Sequence, residues 1–217
     1  MEFIDQKIQD YAESHTAPEP AYLLELNRYT HTSVLKPRML SGHLQGRFLS
    51  MCSRMIRPQY VLDIGTYTGY SALCLAEGLA HDGVVYTIDN NEEVAEVAQR
   101  FINQSPFRYQ ISLEIGDATA EISRLNLLVP HWDLIWMDAE KSEYMAYYDL
   151  CIDKLRQGGI LMADNVLWSG KILDQQALSK DVDTRKLHEF NLKVHQDERV
   201  FNLLMPIRDG IMMLQKL

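Results

Sequence analysis

Cysteine is scarce: Cys52, Cys74 and Cys151 are odd in number and far apart in a chain of 217 residues. No two of them have C-x-x-C spacing, so neither a disulfide framework nor a thiolate zinc knuckle is indicated, and reduced thiols are expected. Long apolar runs are missing too, since none reaches the ~18 uncharged residues of a membrane span. The first ten residues carry Glu2, Asp5 and Asp10, which suits neither a signal nor a transit peptide. A cytoplasmic location is expected. Basic residues number 21 against 30 acidic ones, and the net charge of −9 disfavours broad attraction to nucleic acid. None of the seven histidines forms H-x-x-x-H, and no serine sits in a G-x-S-x-G elbow. A zinc peptidase or serine hydrolase therefore has no support.

What is present is organised around residues 60–71, where the apolar run Val61, Leu62, Ile64 leads into Gly65, then Gly69, then a helical pattern. This reads as a buried parallel strand, a loop and a helix. The loop departs from the dinucleotide fingerprint G-x-G-x-x-G, because Thr66, Tyr67 and Thr68 fill the interval between its glycines. No second glycine clears room for a pyrophosphate, and Asp63 adds negative charge. A nucleoside without phosphates, cationic if charged, fits better.

Downstream, apolar β-branched runs predict strands at 84–88, 111–115, 132–137, 160–163, 200–205 and 210–214, with helices at 71–80, 92–103, 144–155 and 184–195. Gln157-Gly158-Gly159 reads as a turn, and 166–183 as an insertion loop. Right-handed crossovers make the early strands parallel, and the short turn 206–209 makes the last two antiparallel. The expected architecture is one α/β domain over 1–217 with a Rossmann-like, seven-stranded, mostly parallel sheet whose last strand is antiparallel. Residues 1–58, interrupted by Pro18, Pro20 and Pro37, form a helical arm of two or three short helices. Within it, 39–46 is either a bend over a ligand or a helix start packed on the core.

Five predicted strands end in acid: Asp63, Asp89, Asp117, Asp138 and Asp164. In an open α/β sheet these ends share one rim, where ligands bind. So many carboxylates repel one another unless they meet cations or hydrogen-bond donors. Asp89 suits a ribose diol or a helix cap, and Asp117 an adenine amino group or a cap. Asp138, Asp164 and Asn165 offer hard oxygen ligands for Mg²⁺, Ca²⁺ or Mn²⁺ rather than zinc. Lys141 is either a general base in the same cleft or a surface lysine.

Three segments, Asp63-Ile64-Gly65-Thr66-Tyr67-Thr68-Gly69-Tyr70-Ser71, Met137-Asp138-Ala139-Glu140-Lys141 and Asp164-Asn165-Val166-Leu167-Trp168, together resemble the signatures of the cation-dependent O-methyltransferases. That family includes catechol and caffeoyl-coenzyme A O-methyltransferases. The resemblance implies S-adenosylmethionine as donor, with its methionine end at Asp63, Gly65 and Ser71, its ribose on Asp89, its adenine beside Asp117 and Ala118, and Met39, Tyr67, Asp138 and Tyr147 adjoining it. It also implies metal ligation by Asp138, Asp164 and Asn165, and Lys141 as base with Asp138 as its catalytic neighbour. The acceptor would be a small catechol-like or other vicinal-oxygen molecule, and the protein a homodimer. Catechol-specific members carry a glutamate near the final turn, where this chain has Pro206-Ile207-Arg208 before Asp209. Members acting on coenzyme A thioesters use basic arm residues, for which Arg28, Lys36 and Arg38 are candidates. The alternative reading is methylation of a hydroxyuridine in transfer RNA, with Lys36, Arg38, Arg47, Arg54 and Arg57 as a basic patch. A third is a catalytically silent nucleoside-binding protein.

Overall fold

The aliphatic runs become inner strands because neither of their faces can meet water. The computed structural model describes residues 4–217, so residues 1–3 of the predicted arm lie outside the described residues. The arm comprises α1 (Gln6–Ser14), α2 (Ala21–Ser33), a 3₁₀ turn (Pro37–Met39) and α3 (Gly42–Ile56). The core continues as β1 (Tyr60–Ile64), α4 (Tyr70–Ala76), β2 (Val84–Asp89), α5 (Glu92–Gln104), β3 (Ile111–Ile115), α6 (Ala118–Leu128) and β4 (Trp132–Met137). It closes with α7 (Tyr144–Ile152), β5 (Leu155–Ala163), α8 (Gln175–Lys180), α9 (Val182–Gln196), β6 (Val200–Met205) and β7 (Ile211–Lys216).

In the described residues the strands form one seven-stranded sheet in the order β3-β2-β1-β4-β5-β7-β6. The pairs β1–β2, β1–β4, β2–β3 and β4–β5 are parallel, whereas β7 runs antiparallel to both β5 and β6. The chain builds outward from β1 to β3 and then crosses back to β4, so a topological switch point lies between β1 and β4. The glycine loop opens there. Strand alternation divides the core into two layers. Leu62, Ile64, Ile135 and Met137 pack with Tyr148 and Phe190 of α7 and α9. Val61, Val85, Leu134 and Trp136 pack with Leu26, Leu49, Leu73 and Phe101 of α2 to α5. Each fully buried aliphatic side chain contributes roughly 1.5–3 kcal/mol.

Several boundaries differ from the sequence-based expectation, among them the helix predicted over 71–80, which ends at Ala76. The helix predicted over 144–155 ends at Ile152, and β5 begins at Leu155. Gln157-Gly158-Gly159 is therefore inside a strand, where the register shift between Trp132 and Leu134 marks a bulge. A glycine pair imitates a turn because both features exploit positive φ, here +73° at Gly158. The segment 166–183 is likewise no plain loop: it contains a 3₁₀ stretch, Trp168–Leu173, and α8, capped by Asp174. In the arm, both readings of 39–46 hold in part. The chain bends at Pro37–Met39, and α3 then starts at Gly42 and buries Gln45 and Gly46 against the core.

Candidate active site

The strand ladders bring the acidic residues together. Past the last β1–β4 pair, Asp138 N donates to Ile64 O at 2.8 Å, and past the last β4–β5 pair Asp164 N donates to Met137 O at 3.0 Å. Asp138 and Asp164 thus extend neighbouring strands by one bond each. Gly65, at φ +104°, lies against this step, and a Cβ there would collide with the Asp138 carbonyl oxygen. Only glycine lets the two loops touch.

Lys141, nearly buried, donates from Nζ to Asp138 Oδ1 at 2.6 Å and to the Tyr144 hydroxyl at 2.9 Å. The Tyr144 hydroxyl in turn lies 3.1 Å from Met137 O and 3.2 Å from Asp164 O, so it fixes the lysine to both strand ends. Burial alone would lower the proton affinity of Lys141, but Tyr144 and the Asp138 carboxylate outweigh it and hold the side chain as an ammonium. Asp164 is 4 % exposed, and burial together with the charge of Asp138 pushes its carboxyl up to about 6. Its Oδ2 accepts from Gln45 Nε2 at 2.7 Å and its Oδ1 from Asn165 N at 2.8 Å. Asn165 follows in the left-handed region, at φ +58°.

A second cluster lies below the rim. Asp63 sits inside β1 rather than past its end, and is fully buried. Its Oδ2 accepts from Thr87 Oγ1 at 2.7 Å and Ser71 Oγ at 3.0 Å, while Oδ1 has no hydrogen-bond partner among the described residues. Burial raises this carboxyl to about 7. A buried, unpartnered carboxylate oxygen calls for a donor. Asp89, the last residue of β2, accepts from Tyr67 N at 2.7 Å and Asn91 N at 2.9 Å. It is not the cap of α5; Asn91 fills that role. Asp89 instead pins the glycine loop, whose Tyr67 hydroxyl donates to Leu35 O of the arm at 2.9 Å.

Asp117 caps α6 through Ala120 N at 3.0 Å, the bland alternative of its two readings, with Ala118 as the first helical residue. Tyr147 is 4 % exposed, and its hydroxyl is raised to about 12 by burial first and then by Glu143 and Asp117. Met39 closes the 3₁₀ turn through its backbone, and its side chain stays half-exposed. Gln45, Tyr144 and Thr87 escaped the sequence reading; only the K-x-x-Y spacing of Lys141 and Tyr144 offered a signal. The proposed basic patch is weakened by the structure. Arg47 and Arg54 share the one carboxylate of Glu77, at 2.8 and 3.0 Å, so half of their combined charge is offset, and Arg47 is largely buried while Arg54 stays exposed.

The model of a protein family described as O-methyltransferase matches residues 13–217. The probable caffeoyl-CoA O-methyltransferase 3 of Dictyostelium discoideum is 30% identical, over 98% of this chain and 91% of that protein. The catechol O-methyltransferase domain-containing protein 1 of Mus musculus is 32% identical over 77% of this chain and 64% of its own length. Among solved structures, an O-methyltransferase from Bacillus cereus in complex with SAH shares the fold at a TM-score of 0.90 and 24% identity, covering 97% of each chain.

Proposed function

The chain belongs to the O-methyltransferase family, and from that premise we propose that it moves the methyl group of S-adenosylmethionine to a hydroxyl of a small acceptor bearing two adjacent oxygens, with a divalent cation as partner. The observation that carries this reading is the contact of two sites: the glycine loop abuts Asp138, which belongs to the Asp138–Lys141–Tyr144–Asp164 cluster. A donor bound in the loop stands beside a polar acceptor corner. The unpartnered Oδ1 of Asp63 suits the ammonium of the donor's methionine end, with Gly65, Tyr67 and Ser71 around it. Asp89 would take the ribose hydroxyls, Asp117 and Ala118 the adenine end, and Met39 and Tyr147 the flanks.

The residues fit a divalent cation. Asp138, Asp164 and Asn165 are hard oxygen donors, and the raised Asp164 carboxyl reports two carboxylates crowded in poor solvent, a cost that a cation there offsets. When bound, such a cation would acidify an acceptor hydroxyl. Within the chain, Lys141 is the group placed to hold the proton released. In its ion pair with Asp138 it already carries one, so base action requires that pairing to loosen and the lysine to release its own proton to solvent first. Tyr144 keeps the lysine aimed at the cleft while it does so. Holding donor and acceptor in contact removes much of the entropic barrier to transfer.

Phe201 and Leu203 are exposed on the edge strand β6, which supports the homodimer that forms part of this reading. The test of the metal assignment is Asp164→Ala. With a methyl-accepting substrate identified from a panel of catechols and coenzyme A esters, Mg²⁺-dependent turnover should fall at least about 100-fold while donor affinity stays within about twofold. Unchanged turnover would sink the metal assignment.

A further inference from the structure

Two residues outside the proposed chemistry tie the arm to the far end of the chain. Gln45, on the buried side of α3, is 2 % exposed and donates to Asp164 Oδ2 at 2.7 Å. Its Oε1 accepts from Arg208 Nη1, and the same nitrogen donates to the Ser41 carbonyl. One orientation of the amide satisfies both neighbours, because a carboxylate has no proton to give and a guanidinium no lone pair to offer. Arg208 therefore decides which end of Gln45 faces Asp164.

The backbone of Arg208 provides a second, independent observation. It lies in the turn between β6 and β7 at φ +51°, in the left-handed region. A side chain there costs roughly 1–2 kcal/mol relative to glycine. Such an outlier persists when the side chain makes interactions that glycine cannot, and here it makes two, both to the arm.

We infer that Arg208 and Gln45 are positioning residues for Asp164: Arg208 orients the Gln45 amide, and Gln45 with the Asn165 backbone clamps the Asp164 carboxylate from both sides. The inference rests on the proposed metal role of Asp164. Hydrogen bonds that orient a ligating carboxylate are typically worth 10- to 100-fold in metal affinity. The device also ties the arm to the proposed metal corner, since Ser41 and Gln45 belong to the arm and Arg208 to the last hairpin.

The experiment uses the full-length protein and Mn²⁺ as probe, with free Mn²⁺ read by electron paramagnetic resonance, donor affinity by calorimetry and stability by thermal unfolding. Arg208→Gly relieves the strained φ and so should fold at least as well as wild type. It is expected to weaken Mn²⁺ binding by about tenfold, leaving donor affinity within about twofold. Gln45→Leu should do the same, and the double variant should be little worse than either single one, as members of one relay are not additive. Wild-type Mn²⁺ affinity in Arg208→Gly overturns the relay. If Asp164→Ala then still abolishes Mn²⁺ binding, the metal site survives and the relay alone has failed. If wild type holds no Mn²⁺ at all, both readings fall.

Discussion

In the proposed reading, the Asp89 carboxylate serves folding and binding together. Its two oxygens each take one backbone N–H, from Tyr67 and Asn91, and each oxygen keeps acceptor capacity for a ribose hydroxyl. Asp89→Ala removes the ligand contacts and also frees the glycine loop. Hydrogen bonds to a charged group contribute about 1.5–3 kcal/mol each, so the donor's dissociation constant should rise by at least about tenfold, read by calorimetry. A wild-type affinity would remove the ribose role. Residues such as Asp89, Asp138 and Asp164 were legible in sequence because an acid that directly ends an apolar run marks the point where a buried strand reaches the solvent-facing rim. Gln45 and Arg208 were not. Their significance comes from a hydrogen bond between residues 163 positions apart, which no local spacing encodes. Asp63 was legible in identity but not in depth: it lies within β1 under the rim, where Thr87 and Ser71 satisfy one of its oxygens.

Beside its apolar packing, the arm is tied to the core by one buried acid that collects donors from two of its helices. Glu77, just past α4, accepts from Arg47, Ser50 and Arg54 of α3 and from Tyr22 of α2. Burial would raise its carboxyl, but these four donors outweigh burial and bring it down to about 2 from 4.5. A carboxyl depressed in the folded state stabilises above its unfolded pKa, and the benefit is lost as pH falls through the folded value. Glu77→Gln should therefore cost about 3 kcal/mol at pH 7, by conversion at about 1.36 kcal/mol per pKa unit. The gap to wild type should persist down to about pH 4.5 and close towards pH 2, because the protonated wild-type acid then resembles the amide. Urea unfolding at pH 7, 4.5 and 2.5 measures this, and a gap independent of pH would overturn it. Periodicity and proline placement made the helical arm legible, but they do not show which element it packs on. The bulge in β5 was misread for a related reason, since Gly158-Gly159 carries the same local signal whether the chain turns or merely kinks.

At the scale of the molecule, charge separates the candidate acceptors. The chain carries a net charge of −9, and of the five basic residues that could have made a nucleic-acid patch Arg47 is largely buried and shares Glu77 with the exposed Arg54. Affinity for a transfer RNA depends on neutralising phosphates with free cations, and its logarithm falls steeply with that of salt concentration. A small vicinal-oxygen acceptor makes no such demand. Crossover handedness made the parallel early strands legible, and the strand-end acids pointed to the carboxyl rim, but the strand order with its switch point between β1 and β4 is set by long-range pairing that no local pattern encodes. The acceptor was not legible, because in the proposed reading it would lie against the arm and residues 166–183, and the latter show no periodicity that constrains side-chain placement. In a donor-consumption screen against catechols, coenzyme A esters and transfer RNA, with and without Mg²⁺, turnover should appear on a small acceptor, depend on Mg²⁺, and change less than about twofold between about 50 and 200 mM salt. Labelling confined to transfer RNA, falling by orders of magnitude over that range, would instead mean that the remaining arm cations Lys36, Arg38 and Arg57 form the acceptor surface.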